Sequence, residues 1–263
     1  MSERLKSVLA PLATLGIFLA AWDASVRWFG APSYLIPSPG AVGQAFWTVY
    51  GNGVILPHVA ATATETVLGF LIGSSVALIV GIVVAESRTV ERFIFPCIVA
   101  LQSMPKVALA PLLIVWFGFG LMSKVVLVAL ICFFPMFVNV VTGFRSARPE
   151  LVDLYRAFSA PRWQILLDVK LPSAAGAIFA GLQVALVLAL LGAVVGEFVA
   201  SQQGLGSLIQ ASSLNFDVPV MFVCIITLAA MGLLASSIVR FAQRRVVFWE
   251  GAQLSARTSS DQV

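Results

Sequence analysis

Three ionisable residues stand within long apolar stretches of the sequence: Glu65, Lys106 and Glu197. A charged group inside a bilayer costs a few kcal/mol unless it faces water or a partner. Lys106 is therefore either a pathway charge or a side chain that extends to the outer surface of the membrane. Glu197 is either a solute contact or a paired carboxylate at a helix end. Glu65 has the same ambiguity, and we assign it no role.

Uncharged polar residues extend this candidate pathway. Pro105 and Pro111 interrupt the third apolar segment, and a broken helix is tolerated in a membrane where its freed backbone groups line a cavity or pack on protein. Residues 102–104 are thereby placed beside a possible pathway. Asn139 and Gln183 could line it too, although hydrogen bonds between helices explain them equally well. The candidate pathway residues are Gln102, Ser103, Met104, Lys106, Asn139, Gln183 and Glu197.

The sequence lacks the residues that an enzyme site needs. There is no Gly-x4-Gly-Lys-Ser/Thr phosphate loop, since the nearest approach, from Gly118 to Lys124, has no second glycine. His58 is the only histidine, which rules out a histidine-based triad and a multi-histidine metal site. The three cysteines fall in apolar segments without metal-ligand spacing. We expect no catalytic residue, no metal site and no cofactor bound by this chain.

The composition indicates that lipid surrounds most of the chain. Hydrophobic residues make up 60% and charged residues 11%, with a mean hydropathy of +0.99, whereas a soluble domain is roughly 25% charged. Several apolar runs approach the ~20 residues that a spanning helix needs. The first run has no cleavage site at its end, so we interpret it as a retained helix. The six predicted spans lie at about 8–29, 59–84, 93–116, 121–142, 173–198 and 218–241.

Basic residues set the predicted topology. Of the 16 Lys and Arg residues, only Arg27, Lys106 and Lys124 fall on one side of the predicted membrane. Because basic loops stay in the cytoplasm, this bias predicts both termini on the cytoplasmic side of a bacterial inner membrane. A nucleic-acid partner is not expected, since it would need a basic face on a soluble domain. The predicted parts are an N-terminal helix with an outer loop at 1–58, a five-helix core at 59–245 and a cytoplasmic tail at 246–263.

Small residues recur every four positions in the second and fifth spans. They are Gly69, Gly73, Ala77 and Gly81 in the second span and Gly181, Ala185, Ala189 and Ala193 in the fifth. Such stripes let helix backbones approach closely. They predict a tightly packed helical core without indicating which interface they form.

The cytoplasmic loop at 143–172 carries the clearest amphipathic pattern. Pro149 can start a helix, which we predict over 149–159. Pro161 then breaks the chain and starts a second short helix before the next span. Apolar residues form one stripe along the first helix, at Leu151, Leu154, Tyr155 and Phe158. A membrane-surface hairpin would also be amphipathic and basic, so the pattern alone leaves both interpretations open.

The residues of this loop resemble the EAA loop of binding-protein-dependent transport permeases. In that family the pattern is Glu-Ala-Ala, a glycine three residues after the second alanine, and an Ile-x-Leu-Pro ending. Asp153 takes the acidic position, Ser159 replaces the glycine, and Leu171 and Pro172 match the ending. Leu154 and Tyr155 depart from the two alanines. Further segments, 103–112, 116–120, 196–198 and 204–206, look like the nitrate, taurine, sulfonate and pyrimidine-precursor branch.

The resemblance implies an all-α membrane protein with six transmembrane helices and the architecture of a type I ABC importer permease. The loop would be a coupling helix that docks in a groove of a cytoplasmic ATPase. The implied ATPase-coupling residues are Asp153, Arg156, Ser159, Arg162, Leu171 and Pro172. The implied partners are an ATPase dimer that binds ATP and Mg, a second permease copy, most simply in a homodimer, and an extracytoplasmic solute-binding protein.

The solute stays open at this point. The resemblance allows sulfonates, nitrate-like anions, pyrimidine or vitamin precursors and aromatic acids. Within it, the residue types at positions 105–108 favour heterocyclic or aromatic solutes. An alternative is an ion-coupled secondary transporter, which would use intramembrane carboxylates such as Glu65 and Glu197. Such a carrier leaves the amphipathic cytoplasmic loop unexplained, so this loop discriminates between the two functions.

Overall fold

The computed structural model describes residues 3–30, 32 and 35–249, and every regular element in these residues is helical. The predicted tail at 246–263 lies outside the described residues beyond Trp249. The α-helices are α1 (Glu3–Phe29), α2 (Pro39–Gly51), α3 (Ile55–Glu86), α4 (Arg88–Gln102), α5 (Ala110–Phe117), α6 (Leu121–Arg145), α7 (Pro149–Ala157), α8 (Arg162–Ile165), α9 (Leu171–Ala200), α10 (Leu205–Leu214) and α11 (Val218–Val246). A 3₁₀ turn covers Lys106–Leu109 and a π turn covers Leu166–Lys170.

Five units in the described residues are long and apolar enough to cross a membrane. Four are single helices, Ile55–Glu86, Leu121–Arg145, Arg162–Val199 and Val218–Val246. The fifth is the pair Arg88–Gln102 and Lys106–Phe117, which bends by 84° at its break. The helix α1, at the position of the first predicted span, is 27 residues long but is not among these units. The protein is thus a multi-pass all-α membrane protein, and the count of six spans stays a prediction.

The helix α6 forms the centre of the bundle, with α3 and α9 packed on it. The glycines of both small-residue stripes face α6: a Cβ added to Gly81 would lie 2.7 Å from Val140 Cγ1, and one added to Gly181 would lie 2.8 Å from Asn139 Cβ. Gly69 and Gly73 approach α6 in the same way. These glycine positions therefore serve packing within one chain.

The break in the third span follows from Pro105. Proline disfavours helical geometry in the residue before it and lacks a backbone N–H, and α4 ends at Gln102. Pro111 occupies the first turn of α5, where the missing N–H has no helical partner to lose. The prediction of a broken span is confirmed, but the expectation that both prolines interrupt it is wrong, because Pro111 starts the following helix.

The loop between α6 and α9 is the second departure from the sequence-based prediction. The first helix, α7, ends at Ala157, two residues earlier than predicted. The second short helix is not separate, since Arg162–Val199 runs as one span-length helix. Pro172 cannot donate the usual bond to the carbonyl of residue 168, and the backbone adapts through the π turn, where the Leu171 N–H bonds to the Leu166 carbonyl. Pro172 therefore lies within a continuous helix and does not end it.

The helix α2 lies in the predicted outer loop before α3. Ser38 caps it by accepting a hydrogen bond from the Ala41 N–H at 3.2 Å. Tyr50 is half-buried and its hydroxyl lies 3.0 Å from the hydroxyl of Thr227 on α11. On α1, Trp22 packs on Phe222 of α11, with ring centroids 5.4 Å apart. Both contacts tie the N-terminal part of the chain to the start of α11.

Candidate functional site

The loop between α6 and α9 has a small core of its own. Val152 of α7 packs on Ile165 and Val169, and all three are buried. Three residues of the predicted apolar stripe lie outside this core, since Leu151 and Leu154 are exposed and Phe158 is 79% exposed. The fourth, Tyr155, is partly buried and packs against the core. The helix α7 thus turns an apolar stripe away from the rest of the chain, as expected for a surface that binds another protein.

The turn after α7 depends on Ser159. This residue has a φ of +57°, in the left-handed region that favours glycine. The Ser159 N–H donates to the Arg156 carbonyl at 2.9 Å, and the Ala160 N–H donates to the Tyr155 carbonyl at 3.0 Å. This pair of bonds is the Schellman motif that ends a helix with a left-handed residue. A serine thus occupies a position whose backbone favours glycine.

The other predicted coupling residues fall into two groups. Asp153 and Arg156 form an exposed ion pair with atoms 3.1 Å apart on α7. Arg156 and Arg162 both line a cavity of about 550 Å³ next to α3. Leu171 and Pro172 lie apart, at the start of α9, and Pro172 lines a separate cavity of about 370 Å³. The structure therefore brings the two arginines together and separates them from the proline.

An ion pair that sequence reasoning missed fixes the loop to the helical core. The Lys170 amine in the π turn donates to the carboxylate of Glu86, the last residue of α3, at 2.5 Å. Arg145, at the end of α6, pairs with Glu91 of α4. The sequence feature that could have predicted these pairs is the presence of opposite charges at neighbouring span ends on the predicted cytoplasmic side. The first pair ties the loop to α3, and the second ties the end of α6, where the loop begins, to α4.

Four candidate pathway residues gather at the break between α4 and the 3₁₀ turn. Gln102, Ser103 and Met104 are exposed, and the Lys106 amine donates to the Gln102 carbonyl at 3.2 Å. The same amine lies 4.3 Å from the centroid of the Phe134 ring. Because Phe134 is near the middle of Leu121–Arg145, Lys106 lies halfway along α6 rather than at either end.

The remaining pathway candidates lie in separate helix contacts. The Asn139 amide donates to the Pro135 carbonyl of its own helix at 2.8 Å. The Gln183 amide donates to the side-chain oxygen of Gln243 at 2.7 Å, which ties α9 to α11. Glu197 is fully buried and accepts a hydrogen bond from the Thr62 hydroxyl at 2.6 Å. The structure does not bring these three residues to the break.

Glu197 instead fixes the segment that leads into α10. Its second carboxylate oxygen accepts from the Gly206 N–H at 2.5 Å. Gly204 has a φ of +128°, and a side chain there would clash with the Glu197 carboxylate. His58 Nδ1 lies 2.8 Å from the Gly204 carbonyl oxygen. The two glycines of the Gly204-Leu205-Gly206 motif therefore leave the space that the buried carboxylate occupies.

A further ion pair that was missed from the sequence lies near Glu197. Glu65 of α3 pairs with Lys124 of α6, and the side chains are 1% and 11% exposed. The Lys124 amine also donates to the Ser201 hydroxyl at 2.8 Å. Sequence reasoning used Lys124 only for topology and gave Glu65 no role. The available signal was two opposite charges near the same predicted end of two spans.

Comparisons with known proteins identify the family. Residues 71–248, more than half of the chain, match the family described as binding-protein-dependent transport system inner membrane component. The chain belongs to this family. The resemblance stated from the loop and from the separated motifs is thereby confirmed.

The permease has close relatives among transport proteins. It is 40% identical over 239 residues to the riboflavin transport system permease protein of Chloroflexus aurantiacus, covering 91% of this chain and 89% of the relative. It is 28% identical over 251 residues to the formylaminopyrimidine transport permease protein of Halalkalibacterium halodurans, covering 95% and 100%. The MetNI methionine ABC transporter, solved in inward-facing conformations, shares the fold, with a TM-score of 0.64 at 21% identity over 73% of this chain and 94% of that chain.

Family membership establishes the role of the chain. It is the transmembrane permease subunit of an ABC importer, and ATP hydrolysis is carried by a separate ATPase subunit. The permease therefore works with an ATPase and with a solute-binding protein. Two regions of the permease are candidates for these contacts. The loop at one end of the bundle is the candidate for ATPase binding, and the break in the third span is the candidate for contact with the solute.

Proposed function

We propose that this permease imports an uncharged or weakly charged heterocyclic solute, of the size of riboflavin or a pyrimidine precursor, as a homodimer driven by two cytoplasmic ATPases. The observation that carries the proposal is the exposed break at residues 102–104, with Lys106 halfway along α6. Irregular backbone at this depth is tolerated only where it is covered by protein or lines a water-filled path. A second copy facing this surface across a central pathway satisfies that requirement.

Two of the relatives and the geometry of the break support this solute class. The riboflavin and formylaminopyrimidine permeases both carry names of ring heterocycles. Within the proposed pathway, the Lys106 amine can donate to a ring carbonyl and the Phe134 ring lies beside it at 4.3 Å. A cation next to an aromatic face suits a flat ring with carbonyl edges.

The exposed stripe of α7 supports the site of ATPase binding. Leu154 on α7 and Phe158 directly after it are exposed. The loop that carries them is held to α3 through Lys170 of the π turn, which pairs with Glu86. An ATPase groove that accepts this stripe would bury it and would move α7 and α9 together. We assign this end of the bundle to the cytoplasm because only three of the 16 Lys and Arg residues belong to the opposite side.

The deciding experiment is uptake in membrane vesicles that contain the permease, its ATPase and its binding protein. We expect ATP-dependent uptake of radiolabelled riboflavin or formylaminopyrimidine, and little uptake of ethanesulfonate. Asp153→Arg and Arg162→Glu should reduce ATPase binding and uptake together while the permease still inserts. Uptake that persists without the ATPase and follows an ion gradient would show a secondary carrier instead.

A further inference from the structure

A cavity of about 850 Å³ lies at the end of the bundle opposite α7, between α3, the start of α6 and residues 201–203. Its volume is within the range of about 300–1,000 Å³ that small-molecule sites occupy. None of the candidate pathway residues is among the residues that line it. The cavity is therefore separate from the break in the third span.

The charges of this cavity cancel each other. Glu65 and Lys124 are the charged residues among those that line it, and they form the buried ion pair of α3 and α6. The Lys124 amine makes a further hydrogen bond to Ser201 at 2.8 Å. An anion that entered would have to displace the Glu65 carboxylate from this amine and leave a buried charge without its partner, which is unfavourable. The cavity thus offers no uncompensated positive charge.

The uncharged polar groups of the cavity are available to a ligand. Gln202 and Gln203 are exposed, and none of the hydrogen bonds within the described residues uses either side-chain amide. An amide presents both donors and an acceptor. The Thr64 hydroxyl donates to the Ala60 carbonyl at 2.7 Å, so its oxygen can still accept. The Phe119 ring is exposed at the rim, where it can stack on a flat ring.

Resting on the proposed function, we propose that this cavity is a second binding site of the permease, for an uncharged heterocycle with N–H and carbonyl edges, and that the Glu65–Lys124 pair makes it reject anions. Gln202, Gln203 and Thr64 bind the edges of the ring, and Phe119 covers its face. The cavity lies on the predicted outer side, so it receives the solute before the solute reaches the break. Charge selection by the permease is then added to the selection made by the binding protein.

The uncharged part of the site is tested by riboflavin binding to the intact permease–ATPase complex in lipid nanodiscs, without the binding protein, followed by quenching of riboflavin fluorescence. We expect Gln203→Ala and Thr64→Val each to weaken binding about fivefold, the usual effect of losing one hydrogen bond. Gln44→Ala, an exposed glutamine on α2 outside the cavity, should bind riboflavin as the wild type does. Equal affinity in the wild type and both cavity variants would overturn the assignment of the site.

The charge part of the site is tested with ethanesulfonate. In the wild type, an excess of ethanesulfonate should leave the riboflavin affinity unchanged, and competition would overturn anion rejection. Glu65→Gln removes the carboxylate that pairs with the Lys124 amine, so ethanesulfonate should now raise the unfolding temperature of the complex in a concentration-dependent way. The double variant Glu65→Gln with Lys124→Gln removes both charges and should show no such rise. A Glu65→Gln complex that folds but ignores ethanesulfonate would also contradict the proposal.

Uptake separates a failure of this site from a failure of the proposed function. Vesicles that import riboflavin with ATP, while Gln203→Ala and Thr64→Val bind riboflavin normally, would retain the function and reject the cavity site. Vesicles that import ethanesulfonate but no heterocycle would reject the solute class itself. The ethanesulfonate response of Glu65→Gln is read without any transport, so it tests the charge argument in both cases.

Discussion

Among single residues, Ser159 and Gly204 adopt a positive φ for different reasons. Ser159 has a φ of +57° at the end of α7, where the loop pattern of the family has a glycine. Gly204 adopts a φ of +128° beside the buried Glu197 carboxylate. In the first case a side chain is strained but has room, and in the second case there is no room for one.

Ser159→Gly should stabilise the coupling loop. The left-handed conformation costs a non-glycine residue about 1 kcal/mol, and glycine removes most of this cost. We expect slower hydrogen exchange of the amides around residues 156–160 in the purified permease. Ser146→Gly, at a helix end with a φ of −76°, is the matched control and should give no such gain. Faster exchange in Ser159→Gly would show that the serine side chain itself stabilises the turn.

Gly204→Ala should destabilise the permease far more than Gly53→Ala. Both glycines have a positive φ, but a Cβ at Gly53 would meet only Leu56 Cδ1 at 4.0 Å, whereas one at Gly204 would clash with Glu197. The φ of Gly53, +69°, costs a non-glycine residue about 1 kcal/mol, whereas Gly204, with a φ of +128° and a ψ of +156°, lies in a backbone region that is essentially restricted to glycine. The clash with Glu197 adds about 2 kcal/mol at Gly204. Unfolding midpoints at one heating rate measure the difference. Equal midpoints would mean that Glu197 can move aside at little cost.

Sequence reasoning reached some of these residues and missed others for a physical reason. Ser159 was found because its position in the loop pattern is local. Glu65 and Lys124 are 59 positions apart in the sequence, and their contact depends on the rotation of α3 and α6 about their axes. A hydrophobic pattern that covers most faces of both helices does not specify that rotation.

At the scale of elements, α7 combines a buried edge with an exposed apolar stripe. Val152 holds it on Ile165 and Val169, while Leu154 and Phe158 face outwards. Of the predicted stripe, Leu151, Leu154 and Phe158 are exposed, whereas Tyr155 packs against the core of the loop. The predicted break at Pro161 is present, since α7 ends at Ala157 and the next helix begins at Arg162. The second short helix is not separate from the following span, because the π turn accommodates Pro172, and no simple periodicity marks a π turn in advance.

Phe158→Asp should weaken ATPase binding by about 30-fold or more. A buried aromatic at the centre of an interface often contributes about 2 kcal/mol or more, and a carboxylate in its place would be desolvated without a partner. Co-purification and titration with the isolated ATPase measure the effect. Leu214→Asp is the control, since Leu214 is also exposed but ends α10 at the opposite end of the bundle. Unchanged ATPase affinity in Phe158→Asp would remove α7 from the interface.

Glu86→Lys and Lys170→Glu should each reduce uptake per ATP hydrolysed, while ATPase binding stays near normal. Each change places two like charges at the contact that now holds the loop to α3. A movement of the loop would therefore be transmitted to α3 less completely. The double variant restores an ion pair of reversed polarity and should recover most of the coupling. Simultaneous measurement of uptake and hydrolysis in vesicles gives the ratio. A double variant no better than either single one would contradict a role for the pair in coupling.

At the scale of the whole molecule, the break in the third span decides which surface can face lipid. The sequence predicted this break from Pro105 and Pro111; the 84° bend confirms the break, although Pro111 starts the following helix. The bend angle and the depth of Lys106 depend on the packing against α6, so they could not be predicted from the sequence. The homodimer remains a prediction that follows from the exposure of residues 102–104.

Ser103→Cys should react with a membrane-impermeant thiol reagent in vesicles, whereas Ile72→Cys should not. Ser103 is exposed at the break, and Ile72 is exposed near the middle of α3, on a surface that we assign to lipid. Cys97 is exposed and is replaced by alanine in both variants to remove background labelling. ATP binding by the partner subunits should change the labelling rate of Ser103→Cys. Equal labelling of both positions would argue against a water-filled path at the break.

The continuous helix from Arg162 to Val199 gives the two ends of the permease a common mechanical element. At ~1.5 Å per residue its 38 residues extend about 57 Å, with the exposed Trp163 at one end and the buried Glu197 at the other. A tilt of about 5° about one end of such a rod displaces the other end by about 5 Å. A displacement of the coupling loop is therefore transmitted along this helix to the hydrogen bonds of Glu197. The π turn is the one irregular point between them, so the stiffness of the helix depends on how well the backbone accommodates Pro172.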